Sequence, residues 1–284
     1  MDAFINYFET ISSSHRAAIL IGGILLFWLI ENNWPLFQFK YQKWKHARVN
    51  FFFTLTTILV NMPLAFLLLR TSDWATSSSV GIIHWLSPLP IWLKALIGLM
   101  VLDLIGAWLA HWIQHKVKFL WRFHIIHHAD QQVDTTTANR HHPGESMVRF
   151  VFTLLAIVVS GAPMWLVFLY QSLSVVLSQF NHANIVLPRG LDRLLSWVLV
   201  TPNMHHIHHH YQQPFTDSNY GNIFAFWDRL LGTFQYTQQK NLIYGIDTHP
   251  DPQENAKIAN LLKIPFQRYR PPVSSQKKDS FSAQ

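Results

Sequence analysis

The chain has 284 residues, half of them apolar and only 13% charged, with a formal net charge of +7; soluble domains usually carry about 25% charged residues. It contains no cysteine, which excludes disulfides, thiolate zinc sites, iron–sulfur clusters and cysteine nucleophiles. Its aromatic residues sit in apolar runs and not among basic ones, which argues against a nucleic-acid partner and leaves anionic lipid headgroups as the match for the basic balance.

In chain order, the N-terminus makes a weak signal peptide, because Asp2 and Glu9 precede any basic residue and no small-residue cleavage site follows. It is expected to remain as a membrane helix. A first apolar span runs from Ala17 to about Leu29 and ends near Glu31. A second runs from Phe51 to Leu69, interrupted by Asn61 and Pro63, and a third from Ile91 to His111 with Asp103 inside it. Each is close to the ~20 residues that cross a bilayer. The basic cluster Lys40, Lys43, Lys45 and Arg48 between the first two spans predicts an inside loop. Three crossings then return the chain to the cytoplasmic side at His111.

After His111 comes a polar segment up to Arg149, then a mostly apolar stretch from Phe150 to Leu187. That stretch is broken at Ser160-Gly161-Ala162-Pro163 and again at Ser178, Gln179 and Asn181, which predicts a helical hairpin with both flanks on one side. Pro188 to about Phe266 reads as amphipathic and soluble, and the residues from Arg270 onward as a disordered tail. The fold class expected is an all-α polytopic membrane bundle with a cytoplasmic, histidine-rich metal-binding cap. Its divisions are N-terminal membrane helices over 1–94, a catalytic unit over 95–240, a C-terminal cytoplasmic segment over 241–270 and the tail over 271–284.

Of the 17 histidines, 13 fall between His111 and His210. They recur in short spacings: His111 and His115 four apart, then His124, His127 and His128, then His182, then His205, His208 and His209. Residues three and four apart share a helix face, so each H-x-x-H-H group can aim imidazoles at a common point. Nine donors exceed what one ion takes, and two ions are the economical reading. Imidazole suits iron, zinc, copper and nickel alike. A histidine-dominated iron pair suits dioxygen activation, whereas a dizinc hydrolase usually brings carboxylates. Asp130, Asp134, Glu145 and Asp192 are read as partners for ring N–H groups, and Arg140 with Glu145 as an ion pair bracing the metal loop. His206 and His210 are off the repeated spacing and are read as outer or surface residues. His141 and His142 precede Pro143 and are placed in a turn, while His15, His46, His84 and His249 are read as structural or exposed.

The ordered set His111-x-x-x-His115, His124-x-x-His127-His128 and His205-x-x-His208-His209 resembles the three histidine boxes of the fatty acid hydroxylase/sterol desaturase superfamily. TTTANRHHPGE from Thr135, QFNHANI around His182 and DSNYGNIFAFWDRLLGTF from Asp217 resemble its other signatures. The resemblance covers roughly residues 95 to 235. It implies a membrane non-haem di-iron oxygenase that uses O2 to hydroxylate or desaturate an unactivated C–H bond of a lipid. It also implies two iron ions held by His111, His115, His124, His127, His128, His182, His205, His208 and His209. Some members use a further histidine four positions before His182; this chain has Ser178 there. Asp217, Asn219, Tyr220 and Gly221 are read as a capped turn supporting the last box, and Trp227-Asp228 with Gly232-Thr233-Phe234 as packing and a tight turn.

The chain has no nucleotide-binding glycine motif, haem segment or cysteine cluster, so electrons must come from an external ferredoxin, or from a cytochrome with its reductase. The expected location is an integral, multi-pass membrane protein with its site facing the cytoplasm; the bacterial inner membrane fits. The rival readings are a zinc-dependent membrane hydrolase or isomerase, weakened by the lack of H-E-x-x-H, and a non-enzymatic metal-binding membrane protein.

Overall fold

A computed structural model describes residues 1–86 and 88–272; the expected tail lies, from residue 273, outside the described residues. Among the described residues every regular element is helical, apart from three isolated β-bridges. A short α1 (Asp2–Glu9) leads to α2 (Ser13–Asn33), which Ser12 caps by accepting from the His15 amide. The first expected span is therefore extended by a turn at its start.

The second is much longer than its apolar core, because α3 runs unbroken over Lys43–Ser77 with Pro63 inside it. It is anchored near both ends: Asn50 Nδ2 donates to Thr136 Oγ1 at 2.8 Å, and Ser72 Oγ donates to the Ala162 carbonyl at 2.9 Å. After α4 (Ile82–Trp85), α5 (Ile91–Asp103) passes through a π-helical turn at Leu104–Leu109 into α6 (Ala110–Lys116). Then α7 (Lys118–His128) turns back.

The hairpin is α8 (Pro143–Ser160) and α9 (Met164–His182). The second break expected at Ser178, Gln179 and Asn181 is absent, because the Gln179 and Asn181 side chains have partners. Gln179 Nε2 donates to the Leu20 carbonyl at 3.0 Å and Asn181 Nδ2 to the Asn222 carbonyl at 3.2 Å. The hairpin turn needs Gly161, which sits at φ +73° with the Val80 carbonyl 2.4 Å from where a Cβ would be. Four helical stretches are long and apolar enough to cross a membrane, Ser13–Asn33, Lys43–Trp85, Ile91–Lys116 and Pro143–Ser160, and the chain is polytopic.

The remainder is a cap of short helices: α10 (Arg189–Leu195), α11 (Pro202–His208), α12 (Phe226–Leu230), α13 (Pro252–Asn255) and α14 (Ile258–Lys263). The main apolar core lies between α5, α8 and α9, around Leu102, Ile157 and Leu166, and continues under the cap through Ile223 and Phe224. All the polar helix ends meet at one end of this bundle. Glu31 of α2, His46 of α3, His115 of α6, Glu145 of α8 and His182 of α9 lie there together with the Thr135–Asn139 turn.

Candidate metal centre

Helix α6 presents His111 and His115 on one face, and α7 faces it with His124 and His128 four residues apart and His127 between them. Helix α11 begins with the Thr201 hydroxyl accepting from the Met204 amide, with Pro202 in its first turn. That fixed start sets the facing of His205, His208 and His209. His182 is the last residue of α9.

All nine rings come together, in two adjoining groups. His111, His115, His124, His128 and His208 form one; His127, His182, His205 and His209 form the other. Within each group one nitrogen per ring lies within 4.8 Å of every other. Both are nearly dry: His124, His128, His208 and His209 are fully buried. Helices α7 and α11 each send rings to both groups.

The first group is oriented by outward hydrogen bonds from Nδ1. His111 donates to the Tyr220 carbonyl at 2.9 Å, His124 to Glu145 Oε1 at 2.8 Å and His208 to the Ser218 carbonyl at 2.7 Å. His115 Nδ1 lies 3.4 Å from Asp217 Oδ1. Such bonds place the proton on Nδ1 and turn the Nε2 lone pair inward. In the second group His182 Nδ1 donates to the Ser178 carbonyl at 2.7 Å. Ser178, four positions before His182, thus contributes a backbone acceptor.

What the rings face inward is each other. His111 Nε2 and His124 Nε2 are 3.0 Å apart, as are His205 and His182 Nε2, and His182 and His127 Nε2 are 3.1 Å apart. A cation bound by two imidazoles at right angles, at about 2.1 Å each, would separate them by about 3 Å. Both nitrogens of His128 and of His209, and Nε2 of His115 and His208, are buried without a hydrogen-bond partner. Buried imidazoles left unpaired are costly, and a bound cation satisfies them. Burial, then the neighbouring rings, pushes His127, His128, His205 and His209 well below the ordinary imidazole pKa. The rings are therefore neutral and available as donors at physiological pH.

The surrounding acids are placed differently from expectation, except Glu145. Its Oε1 accepts from His124, from Arg149 Nε at 2.9 Å and lies 3.0 Å from His141 Nδ1. Arg140 does not pair with it; Arg140 donates to the Ile126 and Asn255 carbonyls, with Asp130 at 4.0 Å. Asp130 and Asp134 serve His46 and not a clustered ring, at 2.9 and 3.1 Å. Asp192 accepts from the Thr201 hydroxyl at 2.7 Å. His206 is an outer residue: its Nε2 meets the His182 carbonyl at 3.2 Å and its Nδ1 the Tyr244 hydroxyl at 2.6 Å. His210 Nδ1 accepts from the Ile243 amide, and His142 caps α8 by accepting from the Gly144 amide.

Two buried acids organise the signature after the last box. Asp228 accepts from Trp108 Nε1, the Tyr220 and Gly221 amides and the Thr233 hydroxyl, at 2.7–2.9 Å. Asp103 accepts from the Ile223 and Phe224 amides at 3.2 and 3.1 Å. Asn219, at φ +51°, holds α11 by donating to the Met204 carbonyl at 2.9 Å. The sequence reading missed the roles of Asp103 and Asp228, although a lone acid in an apolar run is itself a signal. The expected supporting turn at Asp217–Gly221 is present, and its carbonyls orient His111 and His208.

With this geometry in view, the family model described as fatty acid hydroxylase matches residues 95–233. The matched segment belongs to the fatty acid hydroxylase family. Curated relatives include an ornithine lipid hydroxylase of Rhizobium tropici, 27% identical over 53% of this chain and 44% of that one. Human alkylglycerol monooxygenase is 28% identical over 58% of this chain and 35% of its own length. Mouse cholesterol 25-hydroxylase is 28% identical over 49% and 46%. The chain thus spans less than half the length of these relatives. No solved structure matches it.

Proposed function

We propose that this protein is a membrane oxygenase in which nine histidines hold two iron ions and O2 is used to hydroxylate or desaturate an unactivated C–H bond of a lipid. The observation that carries the reading is the pair of dry, all-imidazole groups in which Nε2 of His115, His128, His208 and His209 has no hydrogen-bond partner and the other inward nitrogens face one another. His111, His115, His124, His128 and His208 would hold one ion, and His127, His182, His205 and His209 the other. No carboxylate belongs to either group; imidazole suits iron and zinc alike, and the family match over residues 95–233 supports the iron reading.

What the iron pair supplies when bound is the reductive activation of dioxygen that attack on an aliphatic C–H demands, chemistry that no side chain performs. The chain's own residues orient and insulate. Tyr220, Ser218 and Ser178 carbonyls and Glu145 fix ring tautomers. The short helices of the cap close the groups off from water. A cavity of about 610 Å³ between α6, α7 and the 211–217 loop reaches His115 beside Lys116, Trp121 and Asp217. The substrate is a lipid, because the groups stand at the end of membrane-crossing helices. Electrons come from a ferredoxin, or a cytochrome with its reductase, on the cytoplasmic face, a reading supported by the basic cluster of Lys40, Lys43, Lys45 and Arg48 around the start of α3.

The test is reconstitution of purified protein with Fe(II) under anaerobic conditions, followed by a ferredoxin–reductase couple, O2 and a membrane lipid extract. Mass spectrometry is expected to find lipids heavier by one oxygen atom or lighter by two hydrogens. Iron-loaded protein that consumes reductant yet alters no lipid would overturn the proposal.

A further inference from the structure

The segment that looked soluble, residues 188–266, contains a surface that does not suit water. Leu194 is 70% exposed, Trp197 64%, Val198 53% and Leu230 72%. They are neighbours: the Ala225 amide donates to the Val198 carbonyl at 2.9 Å, and the Arg229 guanidinium lies 5.1 Å from the Trp197 ring centroid. Arg189 and Arg193, both exposed, flank the same surface.

Its height along the bundle is fixed by two independent contacts. Asp103, which accepts from the Ile223 and Phe224 amides, precedes His111 by eight residues on one continuous helical stretch. Asn222 Nδ2 donates to Ser174 Oγ at 2.8 Å, and Ser174 precedes His182 by eight residues on α9. Eight residues of helix are about 12 Å, so the 222–224 strip sits two turns below the histidines, toward the middle of the bundle. Strip 198–200 pairs with it through the Leu199–Phe224 bridge. The apolar surface of α2 rises higher than this. Leu29 is 63% exposed only two residues from Glu31, whose carboxylate accepts from the Thr135 amide at histidine level. Trp34 and Trp44, exposed by 66% and 69%, follow at that end as an interfacial aromatic pair.

We propose that residues 189–198 together with 229–231 form a collar dipped into the lipid interface of the leaflet nearest the histidines, with bilayer lipid as the occupant of this surface. Apolar side chains enter the acyl boundary while Arg189, Arg193 and Arg229 reach the headgroups, the pattern of an in-plane amphipathic anchor. The inference is independent of the reaction and rests only on the helices crossing a membrane.

The absence of cysteine makes the test clean. Single substitutions Leu194→Cys, Leu230→Cys, Met62→Cys and Gln253→Cys are spin-labelled in vesicles of zwitterionic and anionic lipid, and accessibility to O2 and to a water-soluble nickel chelate is measured. Met62, on α3 and 68% exposed, reports lipid, and exposed Gln253 reports water. Leu194 and Leu230 are expected to give an O2-to-nickel ratio at least roughly threefold above Gln253, as immersion by about 5–10 Å requires. A ratio equal to that of Gln253 overturns the proposal. So does protection from both reagents, which would mean that protein and not lipid covers the collar. A water-like Met62 would instead remove the membrane reading itself. Should Leu194→Cys elute as aggregate, Leu230→Cys and Trp197→Cys decide the matter.

Discussion

The Glu145 carboxylate shows how much depends on single outward hydrogen bonds. It orients His124 from inside the first turn of α8 while Arg149 balances its charge. Glu145→Gln is expected to weaken metal retention by about 10–100-fold, as loss of a ligand-orienting partner does, measured by competition with a chelator. His128→Ala is expected to lower the metal bound per chain by at least about half, because both His128 nitrogens lack any protein partner and the two seats share helices; elemental analysis of the purified protein checks it. His206→Ala should leave the metal count intact, since that ring faces Tyr244 and a backbone carbonyl. The clustered histidines were legible because their spacings repeat. Their supports were not, since a carbonyl such as Ser218 O has no sequence signature. Arg140 and Glu145 are close in sequence, but Pro143 starts a helix between them, and Arg149 one turn on shares Glu145's face.

At the scale of elements, the helices were legible where apolar runs are long and mistaken where polar residues interrupt them. Pro63 interrupts the second expected span without ending it, and it lies inside α3; the Ser178–Asn181 stretch read as a break, yet it lies inside α9. Isolated sequence could not reveal that Gln179 has a partner 159 residues away, the carbonyl of Leu20. That contact depends on a close approach of α2 to α9, because a Cβ at Gly23 would fall 2.0 Å from Gln179 Oε1. Adjacent Gly22 has nothing within 4 Å. Small residues at membrane helix contacts permit such approaches. Gly23→Leu is therefore expected to destabilise by at least ~1–3 kcal/mol through overpacking, whereas Gly22→Leu is expected to be tolerated. Thermal denaturation in one detergent compares the two. Asp228→Ala leaves four donors from three segments unpaired and should cost at least ~3 kcal/mol, read in the same assay.

Across the whole molecule, the C-terminal cap is sensitive to acid. Burial, with the Arg270 charge behind it, holds the His249 pKa down at about 4 against the partial opposition of Glu254. The unfolded chain takes up that proton near pH 6.5 and the folded one does not, so stability is full above about 6.5 and declines as pH falls toward 4. His249→Gln is expected to flatten part of the fall in melting temperature between pH 7 and pH 5. The helical, multi-spanning architecture was legible from apolar runs. The immersion of a polar-looking stretch beside α5 was not, because it is set by Asp103 and Ser174 reaching across more than forty residues of sequence.

Helices α7 and α11 each contribute rings to both histidine groups, so neither seat can be shaped without shaping the other. An ion in one seat restrains the helices that carry the other seat's rings, so its successor meets donors held more firmly in place. Loading should then be all-or-none: at half-saturating iron the sample would divide into empty and doubly filled molecules, with singly filled ones scarce in native mass spectra.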